Sequence, residues 1–196
     1  MARDSHAHDS APDHSEVAVL LIDVINDFDF PEAADLLRFA EPMADRIKLL
    51  AGRARQANVP VIYVNDNFGR WRSDFRAQVE HCLKKGRGPR IVELLRPEEK
   101  DYFVLKPKHS GFFSTTLDTL LQYLGVRKVI LTGVAANICV LFTANDAYMR
   151  DFQVIVPEDC VASNSADLNA YALEQMRTVL KAKTTQSAEL EFRTLR

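Results

Sequence analysis

Cysteine is scarce and lacks a framework pattern. The chain of 196 residues holds three, Cys82, Cys139 and Cys160. An odd number without CxxC spacing argues against a disulfide scaffold and a structural zinc site. Such usage fits a reducing compartment, and a cytoplasmic protein is expected. Long apolar runs are missing as well. No segment approaches the roughly 20 apolar residues of a membrane helix, and no N-terminal stretch has the apolar centre of a signal peptide, so no membrane partner is expected. An excess of one charge is also missing. Lys and Arg number 25 against 27 Asp and Glu, a net charge of -2, which indicates no polyanion-binding surface and no nucleic-acid partner. Arg70, Arg72 and Arg76 form only a local basic spot. Neither GxGxxG nor the P-loop pattern occurs, so nucleotide binding has no motif support and no cofactor is expected.

What remains is an ordinary globular balance, 47% hydrophobic and 27% charged, of a length that suits one domain. Residues 1–15 are polar, with His6, His8 and His14 among Ser and Asp, and read as a disordered, solvated tail before a single domain over 16–196. Apolar runs that stop at a polar residue recur at 17–23, 59–66, 102–106, 128–133 and 153–159, with a weaker one at 183–190. Continuous apolar runs suit strands buried on both faces of a parallel sheet. Helical patterns lie between most of them. One starts near Met43 with Pro42 in its first turn and ends at Asn58. Others cover 114–125 (capped by Ser114 or Thr115, stopped by Gly125), 137–150 and 166–182. Alternating strands and helices predict an α/β fold, a three-layer Rossmann-like arrangement with a six-stranded, mostly parallel sheet and helices on both faces. The charged segment 67–101 reads as an excursion over one end of the sheet.

In an open α/β sheet ligands bind at the carboxyl ends of the strands. Those ends nominate Asp23, Asn65 and Asp66, Lys106, and the turn after Gly133 that leads to Cys139. Each has a plain alternative: Asp23 as a turn cap, Lys106 as a snorkelling or paired cation, Cys139 as a small buried hydrophobe. Together they make a device. Lys106 and the start of a helix would favour a Cys139 thiolate, and Asp23 would accept its proton.

These residues sit in three blocks, "LLIDVINDF", "VLKPKHSGFFSTTL" and "LTGVAANICVLFTANDAYMRDFQVIVPEDCVAS". They resemble the signature blocks of the isochorismatase-like cysteine hydrolase superfamily, which includes nicotinamidases, N-carbamoyl amidases, ureidoacrylate amidohydrolases and isochorismatases. The resemblance runs over about residues 16–187. It implies a catalytic triad of Asp23, Lys106 and Cys139. It implies a cis peptide between Val134 and Ala135, and an oxyanion hole from the N–H groups of Ala135 and Cys139. It also implies a homo-oligomer, a dimer or tetramer, acting on a small-molecule substrate.

The departures narrow the expectation. Nicotinamidases carry Asp-x-His-x-x-His after the second strand. Here Asp66 stands first, but Phe68 and Trp71 occupy the histidine places. Neither ligates a metal, so no site metal is expected and nicotinamide is doubted as substrate. Isochorismatases that cleave a vinyl ether lack the cysteine, so C–N cleavage is the better reading. Ether cleavage and a catalytically silent scaffold are the alternatives. Phe28, Phe68, Trp71, Phe112 and Phe113 are candidate pocket walls, and Arg70 and Arg72 candidate partners of a substrate carboxylate. His109 offers a competing Cys–His dyad.

Overall fold

The computed structural model describes residues 14–69 and 74–195. Strands β1 (Val17–Ile22), β2 (Val61–Asp66), β3 (Tyr102–Lys106), β4 (Lys128–Val134), β5 (Gln153–Pro157), β6 (Val161–Ala162) and β7 (Lys183–Thr185) alternate with helices. The helices are α1 (Ala33–Gln56), α2 (Phe75–Lys85), α3 (Pro89–Leu94), α4 (Leu117–Tyr123), α5 (Leu141–Tyr148) and α6 (Ala166–Thr178). The strand order is β3-β2-β1-β4-β5-β7, with β6 attached to β4. Every pairing is parallel. The sheet thus has seven strands rather than six. The added β6 is two residues long, too short to show a hydrophobic period, and it extends β4 through Gly133↔Val161 and Val134↔Ala162.

All six residues of β1 are fully buried, because this strand lies at the centre of the sheet with helices on both faces. Removing each of its Val, Leu and Ile side chains from water contributes about 1.5–3 kcal/mol. One face carries the core formed with α1, α2 and α3, and the other packs against α4, α5 and α6. No helix among the described residues is long and apolar enough to cross a membrane.

Several boundaries differ from the sequence reading. Helix α1 begins at Ala33, and Pro42 lies inside it rather than in its first turn. The stripe Ala33, Leu36, Ala40, Met43, Ala44, Ile47 is buried along one face, and that packing outweighs the lost N–H of one proline. At its far end Asn58 takes φ +53, the left-handed conformation that Asn tolerates after a helix. In α4 neither Ser114 nor Thr115 is the N-cap. Thr116 holds that place without a side-chain hydrogen bond, while Thr115 Oγ1 accepts from the Leu117 N–H at 3.2 Å. Gly125 stops that helix with φ +73. The 67–101 excursion contains α2 and α3, the first capped by Asp74, whose carboxylate accepts from the Ala77 N–H. Ser15, assigned to the tail, is buried and its N–H donates to Leu124 O at 2.7 Å. The rest of that tail, through residue 13, lies outside the described residues.

Candidate active site

Sheet register brings the strand ends together. Asp66 and Lys106 are direct partners across β2 and β3. Ile22 pairs with Val64 on one side and Gly133 on the other. The residues just past Ile22, Val64 and Gly133 therefore share one edge. Asp23 adopts φ +50 and ends the extended strand. Gly133 has φ +112, and a Cβ there would lie 2.0 Å from Ile22 O. Only glycine lets β4 approach β1 this closely. Beyond it the Val134–Ala135 peptide is cis, and Ala136–Val140 forms one π turn that leads into α5. Cys139 lies in that π turn, ahead of the regular helix.

Lys106 is the hub. Its side chain is fully buried, and Nζ lies 2.8 Å from Asp23 Oδ2. It also lies 3.2 Å from Lys108 O and 3.6 Å from Cys139 Sγ, with Asp66 Oδ2 at 3.8 Å. The second Asp23 oxygen, Oδ1, accepts from the Asp66 N–H at 2.7 Å. Asp23 and Cys139 are near enough to act on each other's ionisation. Both other cysteines are fully buried, whereas Cys139 keeps access to solvent.

The electrostatics correct one expectation. Lys106 and a helix start were expected to favour a thiolate. Instead burial pushes the Cys139 thiol up, and the Asp23 charge pushes it further, against the opposing pull of Lys106. The ammonium is already engaged by Asp23, so it has little left for a second anion. Burial likewise raises the Asp23 carboxyl, opposed by Lys106. Lys106 itself is held above its ordinary value, because Asp23, Cys139 and Asp66 together outweigh its own burial. One cation thus faces two acidic neighbours, and burial disfavours the charged form of each.

Ala135 lies at the open end of β4 beside the π turn, and its carbonyl oxygen accepts from the Ile138 N–H at 3.0 Å and the Val140 N–H at 3.2 Å. Its neighbour Asn137 is held by Ser163 Oγ, which accepts from the Asn137 N–H at 3.3 Å.

The remaining candidates divide. Asp66 is at the site, half-buried, and its Oδ1 accepts from the Phe68 N–H at 2.7 Å. Phe68 is half-buried beside it. Phe28 is not a pocket wall. It is completely buried among the α1 and α3 side chains, where a Cβ on Gly88 would strike its ring at 2.8 Å. Phe112 is a core residue too, packed 5.9 Å from the Phe152 ring beneath the Arg150 guanidinium. Arg70, Trp71 and Arg72 lie outside the described residues. Exposed apolar side chains nearer the nucleophile are Ile138 and Phe142, flanking Cys139 in sequence. Thr143 was missed. Fully buried, it donates to Cys139 O at 2.7 Å and accepts from the Gly111 N–H at 3.0 Å. A polar residue on an otherwise apolar helix stripe, four positions after the cysteine, was the available signal.

Comparisons with known proteins bear on the family and the fold. The Isochorismatase domain model matches residues 17–189. The chain is 30% identical over 175 residues to ureidoacrylate amidohydrolase RutB of Enterobacter sp. (strain 638), covering 76% of this chain and 75% of that one. It superposes on the crystal structure of N-carbamoylsarcosine amidase from Thermoplasma acidophilum with TM-score 0.71 and 30% identity, covering 90% of this chain and 99% of that one. It is 43% identical over 176 residues to the uncharacterized isochorismatase family protein YaaI of Bacillus subtilis (strain 168), covering 90% of this chain and 97% of that one. With a family model spanning nearly the whole described fold and amidohydrolases among its relatives, this chain belongs to the isochorismatase family and is a hydrolase.

Proposed function

We propose that this hydrolase cleaves the C–N bond of a small amide, ureide or N-carbamoyl compound through a thioester on Cys139, without a metal. The observation that carries the reading is Lys106 Nζ between Asp23 Oδ2 at 2.8 Å and Cys139 Sγ at 3.6 Å. The amidohydrolase names of the relatives support the bond class.

The chemistry follows from the raised thiol. A thiol held protonated is a weak nucleophile, so it must lose its proton as it attacks. Asp23 takes that proton while Sγ bonds to the substrate carbonyl carbon. Lys106 balances the Asp23 charge before the transfer, and as Asp23 is neutralised the negative charge passes through sulfur to the substrate. The carbonyl electrons move to oxygen, which the N–H groups of Ala135 and Cys139 receive. As the tetrahedral species collapses, the C–N bond breaks and Asp23 returns its proton to the leaving nitrogen. Water then releases the acyl group from sulfur. A low thiol pKa is not needed, because the base and the thiol flank the same ammonium.

Asp66 supplies a second carboxylate near Lys106 that suits an N–H-rich leaving group. Free cysteines support a cytoplasmic location. Exposed apolar residues on α5 and α6, Phe142, Tyr148 and Tyr171, support a homo-oligomer, measurable by light scattering. The direct test is an ammonia-release screen over primary amides, ureides and N-carbamoyl acids. Activity on one class, absent in Cys139→Ala, is the expected result. Full turnover by Cys139→Ala would sink the mechanism, and pyruvate release from isochorismate without any ammonia would move the enzyme to ether cleavage.

A further inference from the structure

We propose that Gln78 is a positioning residue that aims the Asp23 carboxylate through the backbone of Asp66, an assignment that rests on the Cys139 mechanism above. Asp23 leans on the end of β2 twice. Its N–H donates to Val64 O at 3.0 Å, and its Oδ1 accepts from the Asp66 N–H at 2.7 Å. Where Asp66 sits therefore decides where the carboxylate points. Gln78 Nε2 donates to Asp66 O. One residue of main chain thus links a neutral amide on α2 to the base.

The residue type and its place single it out. Helix α2 buries Phe75, Gln78, Val79 and Cys82, an apolar stripe except for the glutamine. The helix is seated without its help. Asp74 Oδ1 accepts from the Ala77 N–H at 2.8 Å, and the Phe75 ring lies 5.1 Å from that of Phe103 and 5.7 Å from that of Tyr63. Gln78 is 2% exposed, and among the described residues its Oε1 has no hydrogen-bond partner. An unpaired buried acceptor costs as much as a hydrogen bond returns, or more. Leu or Met would complete the stripe without that cost, so stability does not account for the amide. What the amide adds is a donor at Asp66 O. On the other side of the strand the Asn67 N–H donates to Lys106 O at 3.1 Å, so the end of β2 is held between α2 and β3.

Asp23 works as a carboxylate twice. It takes the thiol proton first, and after passing that proton to the leaving group it takes one from the water that attacks the thioester. The charged and titratable groups that face it are Lys106 from β3, Cys139 from the π turn and Asp66 from β2. From α2 it is reached only through Asp66, by the neutral Gln78. The bond from the Asp66 N–H favours the charged carboxyl. An Asp66 backbone released from α2 would aim that N–H less well, and Asp23 would then keep its proton to higher pH. A small misplacement of a reacting group costs up to about 100-fold in rate.

The test follows steady phenolate release from p-nitrophenyl acetate across pH, read at the isosbestic wavelength. The ester acylates an active thiol, and steady release then needs the base for thioester hydrolysis. Gln78→Met fills the same space without a donor. Its steady rate should fall about 10–100-fold, its acidic limb should move to higher pH, and its denaturant midpoint should not drop. Gln78→Glu keeps the shape and donates to Asp66 O only when protonated. Its rate relative to wild type should therefore rise as the pH is lowered, whereas that of Gln78→Met should fall. A uniform loss of folded protein mimics neither trend. A Gln78→Met rate within about threefold of wild type, with an unmoved acidic limb, would overturn the assignment. So would slower release by both variants with the wild-type pH profile, which would make Gln78 a packing residue. Equal release by Cys139→Ala and wild type would instead overturn the nucleophile, and the assignment with it.

Discussion

Two buried ion pairs sit at opposite ends of the same sheet, and they are built differently. At the amino end of β3, Arg55 grips Asp101 with two hydrogen bonds, Nε–Oδ1 at 3.1 Å and Nη2–Oδ2 at 2.7 Å. Asp101 Oδ2 also accepts from the Glu98 N–H at 2.7 Å, and Glu98 Oε1 lies 3.0 Å from Arg55 Nη1. Nearby, Tyr63 OH donates to Leu95 O. Every group there has a fixed partner. At the carboxyl end of β3, Lys106 stands as a single charge between Asp23, Asp66 and a thiol. A guanidinium fork fixes geometry, whereas an ammonium is a point charge that accommodates a change in which neighbour is negative. The first arrangement is suited to holding β3 and α1 in place. The second is suited to moving a proton, and it lies where open α/β sheets bind ligands.

The largest effect should come from the nucleophile. Cys139→Ala should lower kcat/KM for ammonia release by about 10⁴-fold or more, with little change in the denaturant midpoint, because the side chain is small and partly exposed. Residual activity within tenfold of wild type would put the chemistry elsewhere. Asp23→Asn is the sharper experiment, since its two readouts should move in opposite directions. Removing the base should cost about 10³-fold in kcat. The same change removes the negative charge that helps push the Cys139 thiol up and frees Lys106 to stabilise a thiolate. Alkylation by iodoacetamide near neutral pH should therefore become faster in Asp23→Asn, with its pH profile displaced to lower pH. Slower alkylation would mean that Asp23 supports the thiolate instead of opposing it.

The amino-end pair predicts the reverse division between stability and activity. The Asp101 side chain is 3% exposed and that of Arg55 22%. Breaking a fully buried pair from one side costs roughly 3–5 kcal/mol, and the partial solvation of Arg55 lowers this to about 2–4 kcal/mol for Asp101→Ala. Chemical denaturation should show the loss as a lower midpoint, while kcat/KM measured well below the transition stays within about twofold. A comparable loss of activity would show that the two ends of the sheet are coupled.

The carboxyl-end cluster was more legible in the sequence than the amino-end one. Asp23, Lys106 and Cys139 each follow an apolar run, and a parallel sheet brings the ends of such runs to one edge whatever the loops do. Asp101 also borders a strand, but nothing in a one-dimensional pattern pairs it with Arg55, 46 positions away. The start of α1 was misread because Pro42 looks like a first-turn residue, and the buried stripe from Ala33 onward is made partly of small alanines with a weak signal. Phe28 and Phe112 looked like pocket walls because aromatic residues line both cores and sites, and only the fold separates them. The sign of the thiol shift was missed for an energetic reason. A nearby lysine lowers a thiol pKa, but here burial and then the Asp23 charge outweigh that pull. That contest between burial, one cation and two acids depends on distances of a few tenths of an ångström, which residue order does not encode.

The smallest effect tests how the amino-end cluster divides between side chain and backbone. Glu98 contributes twice, through its carboxylate to Arg55 and through its backbone N–H to Asp101. Glu98→Gln removes only the first charge and keeps the second bond. The Glu98 side chain is 64% exposed, and exposed ion pairs contribute about 0.2–1 kcal/mol. The expected loss is therefore under ~0.5 kcal/mol, and it should disappear at 1 M salt, where the screening length is about 3 Å. Asp101→Ala should keep most of its effect at the same salt concentration, because its partners are shielded from ions. If Glu98→Gln instead cost as much as Asp101→Ala and resisted salt, the cluster would be a fully coupled three-charge network. The contrast with the Lys106 hub would then lie in position along the sheet and not in the kind of pairing.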